Sequence, residues 1–438
     1  MYTSYIGKRF VSIYNERTSK NLSAREFFEE HVFEQFFNHE KYFKWVVNSP
    51  FVQSFGKKDK PASFKDGQKK RLMKLLHKIE HEPIDSHFAI GFPAADITED
   101  TSGQVSNLAV STETEDIFAS WIGAGFGLKV AGDQVWLIND DEILWTIFEG
   151  WKNYRMFLNS NGVDLKPNDI DAWNSVWLQF SFDPDKISPR FMLPEYSEVI
   201  SKGKLKGIRA LKPPSWIRLL FFLAVHFPGK ELMVYSSRYV SKKQKAETIG
   251  FIKLVLPEIQ RFLEVFKTII QKSKVVSNVR LLDVYESEFS IERAAQLGVI
   301  GLRAIEPKDL RNYVSGISVP SPSIEFTNLI YRTWIIAMLN KPELLALARE
   351  VAQWLFDYQT NSSRGTRNTR DQHIKEVLET KNREPLLEAL IKIAESDPMK
   401  AEFVQVVKDK IMQDIASDNI RLFVYLVRID YNAAKSKK

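Results

Sequence analysis

The sequence contains no cysteine in its 438 residues. That absence excludes disulfide bonds, thiolate zinc sites, iron–sulfur clusters and cysteine nucleophiles. Long apolar runs are lacking too, since the longest, residues 216–227, contains Arg218 and is far shorter than the ~20 residues that span a bilayer. We therefore expect this run to form a buried helix or strand, and we expect no membrane partner.

Nucleotide-binding loops are also missing. Residues 123–127 are rich in glycine, but Leu128 follows them, and neither G-x-G-x-x-G nor G-x-x-x-x-G-K-[ST] is formed. No cofactor is expected. Gly123, Gly125 and Gly127 have two interpretations. They permit a tight turn or close packing, or they let the backbone approach a DNA strand.

The length of the chain exceeds the ~250–300 residues at which single hydrophobic cores stop growing. We expect an α+β protein with a mixed α/β N-terminal domain, residues 1–320, that binds nucleic acid and contains one or two subdomains. An all-α helical bundle, residues 323–438, is predicted to follow. The Val-Pro-Ser-Pro segment at 319–322 is the predicted linker.

Local patterns predict individual elements of the first domain. Ser23 and Glu26 have the spacing of a capping box, and the Phe-rich helix predicted after them places its aromatic side chains in the core. The other predicted elements are a strand over 9–14, a basic helix over 68–81, a hairpin over 127–138, a helix over 140–159, strands over 232–238 and 279–285, and a long helix over 248–272.

Positive charge is concentrated in one segment, residues 57–74. Its net charge of +6 equals the formal net charge of the whole chain. Such a segment attracts a polyanion, and with a pI near 9.0 we expect that polyanion to be nucleic acid. Its basic residues are Lys57, Lys58, Lys60, Lys65, Lys69, Lys70, Arg71 and Lys74.

Two smaller basic groups occur later in the chain. Arg364, Arg367 and Arg370 recur every three residues in a polar loop, which is typical either of an ordinary surface loop or of phosphate contacts. A weaker group follows a predicted strand and comprises Arg238, Lys242, Lys243 and Lys245.

Gln104 and Asn107 lie in a polar stretch that has two interpretations. It forms a solvated turn, or these two amides read adenine edges or enter a minor groove.

Two constellations resemble catalytic sites. His77 and His81 match the H-x-x-E-H pattern of inverted zinc proteases, but the lysine-dense surroundings oppose a divalent cation. Asp283, Glu306 and Lys308 resemble the carboxylates and lysine of magnesium-dependent nucleases, although Pro307 is unsuitable for a central strand. We predict no metal and keep the nuclease as an alternative.

Five segments together resemble a known family. They are YIGKRF at 5–10, LSAREFF at 22–28, KWVVNSPF at 44–51, DTSGQVSN at 100–107 and WIGAG at 121–125. In this order they resemble the large subunit of type I CRISPR effector complexes (Cascade), of the shorter variety.

The resemblance implies a subunit without catalytic activity in a cytoplasmic, antiviral ribonucleoprotein. Such a subunit recognises the protospacer-adjacent motif in double-stranded target DNA, helps unwind the duplex and holds the displaced strand, while guide RNA pairing supplies the remaining specificity. The implied partners are guide RNA, the backbone and small subunits, and a recruited helicase–nuclease.

The resemblance also implies which residues contact nucleic acid. Residues 57–74 would be the lysine-bearing element, Gln104 with Asn107 the reading amides, and 123–127 the glycine loop, with Phe126 as a wedge. The arginine loop of the C-terminal bundle would line the displaced strand. A nucleic-acid-binding scaffold outside CRISPR systems remains a further alternative.

Overall fold

A computed structural model describes residues 1–40, 51, 55–56, 58–81, 89–90, 113–131, 134–160, 164–167, 169–183, 186, 188–238, 248–271, 294, 302, 306–307, 309–315, 324–363, 365–396 and 400–436. The protein is α+β with a helical C-terminal region, as the sequence predicts. It divides into two compact units, Met1–Leu256 and Pro257–Lys438. This division precedes the predicted boundary at residue 320, and the predicted linker lies outside the described residues.

The first unit combines helices with two antiparallel sheets. Strands β1 (Leu128–Val130), β2 (Gln134–Ile138), β5 (Glu231–Arg238) and β6 (Thr248–Val255) form one sheet in that order, and β3 (Ser197–Val199) pairs with β4 (Arg209–Leu211). In chain order its elements are α1 (Tyr2–Thr18), α2 (Ala24–Phe27), a π-helix (Phe28–Phe37), α3 (Phe64–His81), α4 (Thr114–Ala124), β1 (Leu128–Val130), β2 (Gln134–Ile138), α5 (Asp141–Asn159), α6 (Ile170–Phe182), β3 (Ser197–Val199), β4 (Arg209–Leu211), α7 (Trp216–His226), β5 (Glu231–Arg238) and β6 (Thr248–Val255).

The predicted capping box is confirmed at the start of α2. The Ser23 hydroxyl accepts from the Glu26 amide at 3.2 Å, and the Glu26 carboxylate accepts from the Ser23 amide at 2.8 Å. The Phe-rich segment that follows is a π-helix rather than an α-helix. Its aromatic residues are buried as predicted, including Phe28, Phe33, Phe36 and Phe37.

The end of the π-helix is held by a side chain from α5. Arg155 donates to the carbonyl oxygens of Gln35 at 3.0 Å and Asn38 at 3.2 Å, and more weakly to that of Glu34 at 3.3 Å. The last carbonyls of a helix have no partner within the helix. Arg155 supplies those missing donors.

Two predicted elements are wrong. Residues 9–14 belong to helix α1, because Ile6, Phe10 and Ile13 are buried at helical spacing that a six-residue window hides. Residues 248–255 form strand β6 instead of the start of a long helix. The buried residues Ile252 and Leu254 alternate with outward-facing ones there, which is the period of a strand.

Helix α8 (Leu256–Gln271) begins where that strand ends. Pro257 lies in its first turn, where a missing amide hydrogen costs no hydrogen bond, so no kink is needed.

Other predictions for the first unit hold. The hairpin is β1–β2, with Leu128 opposite Trp136, and Asp140 caps α5 by accepting from the amides of Glu142 and Ile143. The apolar run from Trp216 is the buried helix α7. The strand predicted over 279–285 lies outside the described residues.

The second unit is helical throughout its described part. Its helices after α8 are α9 (Leu310–Val314), α10 (Ile324–Leu339), α11 (Leu344–Thr360), α12 (Arg367–Glu379), α13 (Arg383–Ser396), α14 (Ala401–Asp414) and α15 (Ile420–Lys435). One face of α11 is buried, including Leu347, Val351 and Leu355. None of the described helices is both long and apolar enough to cross a membrane.

Candidate nucleic-acid interface

The basic segment folds as a short loop followed by helix α3. The Ser63 hydroxyl accepts from the Asp66 amide at 3.2 Å and donates to the Asp66 carboxylate at 2.7 Å, so the helix begins with a local cap. Leu75 and Ile79 are buried on the inner side. The remaining helix surface is left for charged side chains.

Five lysines of this segment form what we call the lysine surface. They are Lys58, Lys60, Lys65, Lys69 and Lys70. All are exposed, and none forms an ion pair with another residue in the part of the chain that the structure describes. Their ammonium groups are therefore available to phosphate without first breaking a contact to a described carboxylate. Lys57 lies outside the described residues.

The loop lysines are tied to the helix by packing beneath them. A Cβ atom added at Gly67 would lie 3.0 Å from the Pro61 ring and 3.2 Å from the Phe55 ring, so both loop residues contact the first turn of α3. The Arg71 guanidinium lies 4.5 Å from the centre of the Phe55 ring and donates to Gln68 at 2.8 Å. Loop and helix thus form one basic body, in which Arg71 has a structural role.

The lysines of α3 lie in two rows. Lys65 and Lys69 are four residues apart, and Lys70 and Lys74 form the neighbouring row, so both rows occupy the exposed half of the helix. Met73 lies between the rows and is 68 % exposed. The surface therefore offers cations around an apolar centre, which suits the phosphates and sugars of a nucleic-acid backbone.

The two histidines of α3, His77 and His81, share a face of the helix. Their rings stack with centroids 4.2 Å apart, and Nδ1 of His81 lies 2.8 Å from the His77 carbonyl oxygen. Across the described residues, no group of three or more acidic or histidine side chains is placed to hold a metal ion. A third zinc ligand is therefore lacking in this part of the chain.

The glycine turn at residues 123–127 has a different environment from that expected of a DNA-contacting loop. A Cβ atom at Gly123 would lie 1.9 Å from the Thr3 carbonyl oxygen, and one at Gly7 would lie 1.9 Å from that of Ala119. Helices α1 and α4 thus meet backbone to backbone at these two glycines. The prediction that Gly123 contacts DNA is corrected: close packing requires it.

The rest of the glycine turn is likewise buried. Asn174 donates to the carbonyl oxygens of Gly125 at 2.7 Å and Gly127 at 2.8 Å, and its own oxygen accepts from Trp151 at 3.1 Å. Phe126 is 1 % exposed, and the centroid of its ring lies 4.7 Å from that of the Trp151 ring. The prediction of Phe126 as a wedge, and of Gly125 and Gly127 as DNA contacts, is corrected because the core occupies their surfaces.

Two carboxyl groups lie beneath this turn at the start of α6. A Cβ atom at Gly127 would lie 2.7 Å from Oδ1 of Asp171. Burial, and then the charge of Asp169, raise the pKa of Asp171 to about 7. Burial also raises the pKa of Asp169, although Lys166 and Lys129 oppose that shift. Asp171 consequently titrates near neutral pH, although the residue as a whole is only partly buried.

The arginine group of the second unit is divided by the start of α12. Arg367 is exposed in the first turn of that helix. Arg370 donates to the Tyr358 carbonyl oxygen at 2.7 Å, and its guanidinium lies 4.5 Å from the centre of the Tyr358 ring. Arg370 therefore joins α12 to α11. Arg364 lies outside the described residues.

The residues of the nuclease alternative are only partly described. Both carboxylate oxygens of Glu306 accept from Arg311, at 2.8 and 2.7 Å, so this acid is already paired. Asp283 and Lys308 lie outside the described residues, as do the amides Gln104 and Asn107. Their predicted roles stay predictions.

One aromatic pair on the outward face of the main sheet is not among the residues that the sequence predicts for the site. Tyr235 on β5 and Phe251 on β6 are directly opposite each other, with ring centroids 5.3 Å apart. The signal was the alternation of outward residues along residues 248–255, which the helix prediction obscured.

Comparison of the chain with family models, curated proteins and solved structures gives no match.

Proposed function

We propose that the chain is the non-catalytic large subunit of a type I CRISPR RNA-guided surveillance complex. It recognises the protospacer-adjacent motif in duplex DNA, helps to open the duplex and holds the displaced strand. The observation that carries the proposal is the lysine surface, whose five cations lie on one basic body and form no ion pair with any residue that the structure describes. Guide RNA, backbone and small subunits, and a recruited helicase–nuclease are the partners of this cytoplasmic assembly.

The arrangement of the lysines supports contact with duplex DNA in particular. Rows of lysine on one helix surface match the closely spaced phosphates of a duplex, whose neutralisation releases bound counterions. Contacts to phosphate position a protein without reading sequence. Gln104 and Asn107 are proposed to supply the reading, because amide side chains can form paired hydrogen bonds with adenine.

The proposal is tested by the salt dependence of duplex binding. With about six phosphate contacts, affinity for a fluorescent 30-bp duplex should fall on the order of a thousandfold between ~50 and ~200 mM salt. Replacing Lys65, Lys69 and Lys70 together with Ala should reduce the magnitude of the log–log slope by about three. Fluorescence anisotropy measures both quantities, and thermal unfolding should be nearly unchanged because these side chains are exposed.

The matched control removes the same charge elsewhere in the first unit. Lys202, Lys204 and Lys206 are exposed in the turn between β3 and β4, and replacing all three with Ala should leave the slope within about one unit of the parent value. Equal losses from the two triple variants would show that net charge, rather than the lysine surface, governs binding.

The alternatives are separated by two further measurements. Co-purification of guide RNA with the chain and its partner subunits is required by the CRISPR proposal and not by a general scaffold. Asp283→Ala should leave DNA interference intact, whereas a nuclease using Asp283, Glu306 and Lys308 would lose it.

A further inference from the structure

The hairpin formed by β3 and β4 has a basic tip that is held by its own hydrogen bonds. The paired strands end where the Ile200 amide donates to the Ile208 carbonyl oxygen at 2.9 Å. Beyond this point the Lys206 amide donates to the Gly203 carbonyl oxygen at 3.2 Å, which is the hydrogen bond of a β-turn. We call residues 201–207 the hairpin tip.

The base of the hairpin is anchored to a neighbouring segment of the first unit. The Arg209 amide donates to the Asp164 carbonyl oxygen at 2.7 Å, and the Lys166 amide donates to that of Arg209 at 2.8 Å. Leu211, at the end of β4, is buried. The hairpin tip therefore projects from a fixed support.

The hairpin tip carries three lysines and no acidic residue. Lys202, Lys204 and Lys206 are exposed, and none forms an ion pair with a residue that the structure describes. The only acidic residue of the hairpin, Glu198, is paired with Lys212 at 3.2 Å. The ammonium groups of the tip are thus available to an anionic ligand.

The backbone of the hairpin tip supplies further donors. The amides from Lys202 to Leu205 donate to no other residue in the described part of the chain. Gly203 has a φ of +84°, and a Cβ atom there would meet nothing within 4 Å beyond its chain neighbours. Consecutive free amides in a turn form a concavity that binds anions. A phosphate group has acceptor oxygens for both the amides and the ammonium groups.

We infer that the hairpin tip binds the sugar–phosphate backbone of single-stranded DNA. The tip reverses the chain within residues 201–207, so its lysines surround a narrow end, whereas those of α3 form rows. A flexible single strand can curve around such an end, but a duplex, with a persistence length of about 150 bp, touches it at one point. The inference rests on the proposed function only in identifying the ligand as the displaced strand.

The test measures binding of a fluorescent dT15 oligonucleotide to the full chain by anisotropy. Replacing Lys202, Lys204 and Lys206 together with Ala gives the tip variant. It should bind dT15 at least about tenfold more weakly at ~100 mM salt, and the magnitude of its log–log salt slope should fall by about two, because each phosphate contact to a single strand contributes ~0.7. Thermal unfolding should be unchanged, since these side chains are exposed.

The matched control removes three exposed lysines from the second unit. Lys381, Lys400 and Lys410 form no ion pair with a described residue. Replacing all three with Ala should change the dT15 slope by less than about one. Equal losses from this variant and the tip variant would show that net charge governs binding, and would overturn the inference.

Binding of duplex DNA separates the inference from the proposed function. The tip variant should keep the duplex salt slope within about one unit of the parent value, whereas the Lys65, Lys69 and Lys70 variant should lower it by about three. Unchanged dT15 binding by the tip variant would overturn the inference alone. Unchanged duplex binding by the lysine-surface variant would contradict the proposed function alone.

Two further outcomes would assign the hairpin tip to another ligand. Loss of partner subunits from the tip variant, with dT15 binding intact, would identify a protein interface and overturn the inference. Tighter binding of rU15 than of dT15 by the parent, lost in the tip variant, would identify RNA as the ligand and contradict the choice of DNA.

Discussion

The lysine surface and the glycine turn differ in what surrounds them. The side chains of the lysine surface are exposed to solvent and form no ion pairs with described residues. The glycines of the glycine turn instead lie against Thr3, Trp151 and Asp171. Both are unusual in composition, yet only one remains accessible to a ligand. A glycine-rich stretch therefore has the same sequence pattern whether a ligand or a second helix approaches its backbone.

The largest effect is expected from adding one methyl group within the glycine turn. Gly123→Ala should destabilise the first unit by about 3 kcal/mol, because the new Cβ atom meets the backbone of α1. Urea unfolding followed by tryptophan fluorescence measures the loss. Gly56→Ala is the matched control, since its nearest contact would be an ordinary 3.6 Å to the Asp59 side chain. Equal free energies of unfolding for Gly123→Ala and Gly56→Ala would contradict the close packing of the glycine turn against α1.

The carboxyl group beneath the turn should make stability depend on pH. The pKa of Asp171 is raised to about 7 from 3.8, so the folded state keeps a proton that the unfolded state has lost between those values. The contribution of this carboxyl group to stability is therefore fully present below pH ~4 and is lost as pH rises through ~7. Asp171→Asn should remove the contribution of Asp171, leaving that of Asp169, and stabilise the protein at pH 8 by on the order of 2 kcal/mol.

Urea midpoints measured from pH 4 to pH 8 test this second prediction. The lysine triple variant serves as the control and should retain the parent pH profile. A stability difference between the parent and Asp171→Asn that stays constant over that range would contradict the raised pKa of Asp171 beneath Gly127.

A smaller effect is expected at Arg370, which is basic like the lysine surface but packed like the glycine turn. Arg370→Ala should cost about 1 kcal/mol of stability, because a hydrogen bond to Tyr358 and a ring contact are lost together. Duplex affinity should change less than twofold. Arg367→Ala is the control, because Arg367 is exposed: it should leave stability unchanged and weaken duplex binding more than Arg370→Ala does. A larger loss of affinity from Arg370→Ala would contradict the structural role of Arg370.

Elements with a local physical cause could be predicted from the sequence. The capping box at Ser23 and Glu26 and the β1–β2 hairpin depend on neighbouring residues alone, and both are present. The exposed lysines of α3 follow from helical spacing. The π-helical winding of residues 28–37 could not be predicted, because its register depends on packing and on Arg155 from a distant helix.

Contacts between distant segments set the limit for the candidate site. Gly123 and Thr3 are far apart in the chain, and no local pattern shows that their backbones meet. Likewise, the rings of Tyr2 and Phe251 are in contact only because α1 and β6 are brought together by the fold. The spacing of charged residues shows that residues 57–74 are basic. It does not show which basic side chains are accessible and which are packed.

The dependence of the π-helix on Arg155 has a consequence for biosynthesis. The carbonyl oxygen of Gln35 is made 120 residues before the guanidinium that satisfies it. On a translating ribosome, the Phe-rich segment therefore emerges long before its partner and must remain hydrated or be shielded by a chaperone. Nascent chains halted before α5 should accordingly expose this Phe-rich segment and aggregate more readily than chains halted after α5.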